Sequence, residues 1–225
     1  MAVQTPQKIE VGPMYVDVWP KHIRLIPLEQ AVCYVVFDDN DQIAGPLIEK
    51  ILNEESQIRK VRPPEWLGGG GIKIRNISKW DSPSLRLLNE RALELYRRVR
   101  GINSSVIDDM WANVTREGEY IGPHAHRRTK ASLVYHLLPP PKSETSKFDG
   151  SLGLCDPRLP RCCPVEKGRA TSQIYPPMNP GCMVIFPSFV SHYVTPFVGT
   201  EPRISIAWNI DDSKLPGRPN DVSLL

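Results

Sequence analysis

Gly118-Glu-Tyr-Ile-Gly-Pro-His124-Ala-His126 is answered far downstream by Gly181-Cys-Met-Val-Ile-Phe-Pro-Ser-Phe-Val-Ser-His192-Tyr-Val. Side chains alternate across a strand, so two histidines two apart on an extended segment share a face, and His124 and His126 can reach one metal ion together. His192 follows an apolar run, Met183 to Phe186, that is ended by Pro187. That run reads as a buried strand turning sharply and presenting an imidazole at its mouth. Imidazole suits iron, copper, nickel, zinc and manganese, and three protein ligands with open positions describe a reactive centre rather than a structural one.

Working outward, the residues after Ser104 read as short strands punctuated by Pro and Gly: Val106 to Val114, Glu119 to His126, Ala131 to Leu138, Gly150 to Cys155, Gln173 to Tyr175, Gly181 to Phe186, His192 to Phe197 and Arg203 to Ile210. Such a series predicts a sandwich or closed barrel of the jelly-roll type. The Pro-rich connection from Pro157 to Pro180 is longer than ordinary loops.

The front half differs. Val11 to Trp19 alternates enough for an early strand, and residues 31–37, AVCYVVF, form a β-branched and aromatic run expected to be a buried strand. Asp38 to Gln42 lacks the glycine and distal glutamate of a calcium loop and reads as a turn. Leu47, Ile48, Ile51 and Leu52 fall at helical spacing from Pro46 to about Arg59. A second helix is expected from Asp81-Ser-Pro-Ser, with a capping side chain before Pro83 and a stop at Gly101. Gly68 to Gly71 lacks the G-x-x-x-x-G-K-[ST] order and reads as a flexible loop, a lid candidate. The expected fold class is thus α+β: a jelly-roll barrel with the N-terminal helices packed outside. We expect one domain over 1–225, with a front half at 1–104, a core at 105–212 and a tail at 213–225.

Composition narrows the function. At 225 residues and net charge +3, with no basic cluster interleaved with aromatics, nucleic acid is not an expected partner. No stretch approaches a membrane span and the start lacks the pattern of a signal sequence, so a cytoplasmic location is expected and a membrane is not. Five cysteines, at 33, 155, 162, 163 and 182, are odd in number and without Cys-x-x-Cys spacing, which argues for free thiols.

The order Trp111-Ala-Asn-Val, Gly118-x5-His124-x-His126, ASLVYHL, GSLGLCDPR, Gly181-x4-FPSFVSH ending at His192, and Arg203-Ile-Ser205-Ile-Ala-Trp-Asn resembles the iron(II)- and 2-oxoglutarate-dependent oxygenases. Within them it is most similar to a bacterial and phage group related to prolyl hydroxylases. The resemblance covers residues 106–210. It implies a double-stranded β-helix, a cupin-like barrel, with Fe(II), 2-oxoglutarate as cosubstrate and O2, and hydroxylation of an unactivated C–H bond in a small molecule, amino acid or peptide. His124 matches the first metal ligand and His192 the distal one. Arg203 stands where the family grips 2-oxoglutarate, and Ser205 and Tyr135 are expected beside it. A guanidinium on an inward strand position can fork onto a carboxylate, and Ser205, two residues on, shares its face.

One position departs from the family. Its usual facial triad is His-x-Asp with a distal His, whereas His126 occupies the carboxylate's place. Either His126 is the third ligand or Asp156, in Cys155-Asp-Pro-Arg158, supplies the carboxylate. The spacing also resembles cupins, which share the barrel but use no 2-oxoglutarate; the missing glutamate after His126 and Phe189 in place of a glycine do not fit them. A metal-free binding barrel is the third alternative. The sequence leaves the substrate, and a homodimer, open.

Overall fold

A computed structural model of the chain describes residues 8–11, 14–19, 26–27, 32–61, 69–126, 128–141, 149–155 and 173–213. Two antiparallel sheets face each other. The larger has seven strands in the order β3 (Ile26–Pro27), β4 (Cys33–Val36), β11 (Cys182–Pro187), β8 (Ala131–Leu138), β13 (Arg203–Asp211), β6 (Val106–Thr115) and β5 (Ile72–Ile74). The smaller has four: β10 (Gln173–Ile174), β9 (Leu152–Cys155), β12 (Ser191–Val194) and β7 (Ile121–His124). A separate hairpin pairs β1 (Lys8–Val11) with β2 (Met14–Asp17), where the sequence pattern predicts a single strand.

The interleaving of consecutive strands between two sheets is the expected double-stranded β-helix, and strands β3, β4 and β5 from the front half extend its larger sheet. Both faces of that sheet are buried. Leu133, Tyr135, Leu137, Ile204, Ile206 and Trp208 belong to the core on the helix side. Trp111, Val134, Val184, Phe186 and Ala207 pack toward the smaller sheet with Leu152 and Leu154. Alternate residues of one strand therefore serve two different cores.

The helices follow from local signals. In α2 (Pro83–Arg100) the Ser82 hydroxyl accepts from Leu85 N–H, Pro83 occupies the first turn and Gly101 closes the helix at φ 68°. Leu85, Leu88, Ala92 and Leu95 form its buried stripe. Helix α1 (Asn40–Val61) begins earlier than the periodicity suggests, with Pro46 inside it. Asn40 explains the early start: its amide donates to Leu137 O and accepts from the Tyr135 hydroxyl, fixing the first turn against β8. The acidic turn before α1 serves structure, since Asp39 takes the Arg91 guanidinium, which also donates to the Val18 and Asp17 carbonyls.

Candidate metal centre and anion anchor

His124 ends β7 and stands directly opposite His192 of β12 in register, with ring centroids 4.2 Å apart. His126 lies two residues beyond, past the end of the strand, and its backbone N–H donates to Ser188 O in the turn that precedes β12. The three imidazoles converge, with ligand nitrogens all within 4.8 Å of one another. Each Nδ1 is already engaged: that of His124 donates to Gly122 O, that of His192 to Val190 O, and that of His126 meets Asn209 Oδ1 at 2.6 Å. A ring whose Nδ1 carries the proton has its lone pair on Nε2, so all three Nε2 atoms are free to bind a cation. Burial lowers all three pKa values, that of His192 to about 3, with the neighbouring His124 adding to the shift. Neutral rings are the form a metal requires.

The larger sheet supplies the opposite end of the cavity. It encloses about 180 Å³, and its walls include the three histidines, Lys73, Trp111, Arg203 and Ser205. Arg203 is 1% exposed, yet Nε and both terminal nitrogens have no hydrogen-bond partner. Burial without a partner lowers its pKa to about 10. Gly150 leaves room for it, since a Cβ there would come 3.2 Å from Arg203 Cδ. Two further buried groups share this unfilled state. Thr115 lies opposite Arg203 in the β13–β6 register, and its Oγ1 has no partner. His136 lies opposite Ser205 in the β13–β8 register with both ring nitrogens unpartnered. Its pKa is pushed to about 3 by burial and then by the Arg203 charge. A buried cation and two polar groups left unsatisfied in one place are costly, and an anion held by the same groups removes the cost.

Expectation and structure part at Tyr135 and at the glycine run. Tyr135 is not at this site: it has the parity of Leu133 and Leu137, faces the helices and spends its hydroxyl on Asn40. His136, one residue on, faces the Arg203 side. Asp156 lies outside the described residues, as do Cys162 and Cys163. The glycine run is held in place where it is described. Tyr120 N–H donates to Gly69 O and Gly70 bridges Tyr120, so Gly69 and Gly70 are tied to Tyr120, and Gly71 lines the cavity; Gly68 lies outside the described residues. Thr115, His136 and Asn209 carry no motif of their own, but their positions at two-residue steps from Asn113, Val134 and Ala207 assign them to the inner face.

A family model described as a putative 2OG-Fe(II) oxygenase matches residues 109–209, the span that carries all three histidines and Arg203. Over that span the chain is similar to the 2OG-Fe(II) oxygenases. Enzymes of this family use Fe(II), 2-oxoglutarate and O2, and the two ends of the cavity fit a cation and a carboxylate. No curated protein matches the sequence. Solved structures similar in fold include AviO1 from Streptomyces viridochromogenes Tue57, at 14% identity and TM-score 0.61, covering 85% of this chain and 94% of that one. The epimerase SnoN of nogalamycin biosynthesis, in complex with Fe3+, alpha ketoglutarate and nogalamycin RO, matches at 15% identity and TM-score 0.56, covering 85% and 88%. A Pseudomonas putida prolyl-4-hydroxylase matches at 14% and 0.51, covering 80% and 92%. Among the described residues, no helix is long and apolar enough to cross a membrane.

Proposed function

We propose that this chain is an oxygenase that hydroxylates an unactivated C–H bond of a small molecule, amino acid or peptide, converting 2-oxoglutarate and O2 to succinate and CO2 as one oxygen atom enters the product. In this reading His124, His126 and His192 hold iron(II), and Arg203, with Ser205 beside it, takes the remote carboxylate of 2-oxoglutarate. The observation that carries it is the Arg203 guanidinium, fully buried and without a partner, in the same cavity as the three imidazoles. A cupin-type chemistry without 2-oxoglutarate accounts for the histidines but leaves that cation unpaired. Bound iron supplies the activation of O2. The chain's own residues orient and exclude: Arg203 and Ser205 fix one end of the cosubstrate, and Trp111, Leu152, Phe186 and Val194 line the space between with apolar surface that keeps water out.

Anaerobic loading with iron(II) followed by 2-oxoglutarate titration tests this reading. One iron per chain and a visible charge-transfer band that saturates with 2-oxoglutarate are expected; iron binding with no 2-oxoglutarate binding by calorimetry overturns it in favour of the cupin chemistry. His124→Ala and His192→Ala should each abolish stoichiometric iron binding. His126→Ala should do the same while Asp156→Ala retains iron; the reverse order would assign the third ligand to Asp156.

A further inference from the structure

We infer that Asn209, aligned by the hydroxyl chain Thr129–Ser188–Ser132, is a positioning residue that locks His126 in the one tautomer able to bind the metal. The inference rests on His126 being the third ligand, as proposed above. Its observations are separate from the convergence of the histidines.

Asn209 closes the inner face of β13, which reads Arg203, Ser205, Ala207, Asn209 from the anion anchor toward the metal end. It lies directly opposite Ser132 on β8, and the β13–β6 register shifts between Asn209 and Ile210. Such a shift re-aims a side chain. The Oδ1 atom lies 2.6 Å from His126 Nδ1 and 3.0 Å from Ser132 Oγ. Ser132 Oγ is also 3.2 Å from the same Nδ1 and 3.1 Å from Ser188 Oγ, which in turn lies 3.0 Å from Thr129 Oγ1. Thr129, Ser188, Ser132 and Asn209 are all buried, so the bonds among them are shielded from water.

The directions of the protons follow from the chemistry of the groups. A carboxamide oxygen only accepts, so both His126 Nδ1 and the Ser132 hydroxyl donate to it. Ser132 has then used its proton and accepts from Ser188, which accepts from Thr129. The whole row points one way, and its end is a ring with Nδ1 protonated and Nε2 open. With the amide turned over, its N–H would face Nδ1, drive the ring proton to Nε2 and remove the metal's lone pair. Ser132 opposes that turn, because its proton needs the amide oxygen. His124 and His192 need no such device, since backbone carbonyls, which cannot flip, hold their Nδ1 atoms.

The test measures iron(II) affinity and the Fe(III)/Fe(II) midpoint potential of the anaerobically loaded protein, with circular dichroism confirming the fold. Asn209→Leu should weaken iron binding about 10- to 100-fold, the usual loss when a ligand's outer partner is removed. Asn209→Asp, which can only accept, should keep affinity within a few-fold and shift the potential downward, because a carboxylate draws on the Nδ1 proton and makes Nε2 a stronger donor. A packing role alone would not move the potential in that direction. Ser132→Ala should fall between wild type and Asn209→Leu in affinity. Wild-type iron affinity in folded Asn209→Leu, or an Asp variant as weak as the Leu variant, overturns the lock. His126→Ala separates the two readings: if it keeps wild-type iron affinity, His126 is not a ligand and the underlying assignment fails, whereas loss of iron there with no loss in Asn209→Leu overturns the lock alone.

Discussion

Arg203 and Thr115 face each other across the β13–β6 register, both buried, and neither has a hydrogen-bond partner in its side chain. A charged hydrogen bond contributes about 1.5–3 kcal/mol and a neutral one about 0.5–1.5. Arg203→Met should therefore weaken 2-oxoglutarate binding by about one to two decades while iron binding persists, with Arg203→Lys intermediate because a point charge cannot fork. Thr115→Val, nearly the same shape, should lose about 2- to 10-fold. Calorimetric titration of the iron-loaded variants reads both. Normal 2-oxoglutarate affinity in Arg203→Met would falsify the anchor.

The same unpaired cation bears on stability. Removing a buried charge that lacks a partner relieves a desolvation cost, so Arg203→Met should melt no lower than wild type without ligand. It should also lose the upward shift in melting temperature that 2-oxoglutarate gives the wild-type iron form. A variant that melts far below wild type in the absence of ligand would mean that Arg203 serves packing.

His136 sets an acid limit. Its folded pKa, about 3, lies below the ordinary histidine value of about 6.5, so the unfolded chain binds a proton that the folded chain refuses. The stability it contributes is complete above pH about 6.5 and falls as pH drops toward 3, by up to about 1.4 kcal/mol per unit. Urea denaturation of metal-free protein between pH 7 and 4 should show this slope. The slope should be shallower by one proton in His136→Leu; an unchanged slope would mean that His136 is solvated.

Glu55, buried on α1, bridges two elements by accepting from Arg59 and from Arg116, just past the end of β6, while Arg59 also pairs with Glu119. Although burial opposes it, the two guanidinium groups hold the Glu55 carboxyl below its ordinary pKa. Its contribution is therefore present above pH about 4.5 and lost as pH falls through the lower folded value. Glu55→Leu should cost about 2 kcal/mol at pH 7, below the roughly 3–5 for breaking a fully buried bridge because both arginines are partly exposed. A urea-denaturation difference under about 0.5 kcal/mol would reduce the cluster to a solvated surface pair.

Two glycines with positive φ differ in their surroundings. At Gly181, φ 80°, a Cβ would clash with the Phe37 carbonyl oxygen, far inside van der Waals contact distance, and that oxygen belongs to the chain entering α1. At Gly101, φ 68°, nothing lies within 4 Å. Gly101→Ala should cost about 1–2 kcal/mol, the left-handed penalty alone, and Gly181→Ala clearly more, since backbone must also move. Equal melting temperatures for the two variants would contradict this.

Much of the site was legible because its signals are local. His124-x-His126 and Arg203-x-Ser205 are two-residue spacings that an extended chain converts to one face, and Pro187 marks the turn before His192. The start of α1 was less legible: Pro46 marks a good first helical position, but Asn40 is fixed by Leu137 and Tyr135, contacts far away in sequence.

By itself, the sequence determined that strands dominate the second half, that His124, His192 and Arg203 lie on them with His126 close by, and that two helices precede them. Which parity of β8 meets the cavity was decided only by tertiary structure. Ala131–Leu138 is buried on both faces, so it lacks the polar-apolar contrast that tells one face from the other. Tyr135 and His136 are equally credible in such a run, and the helices packing on one side send Tyr135 to Asn40 and His136 to Arg203. The same holds for Asn209, whose bond to His126 depends on two strands meeting in a register that no local pattern encodes.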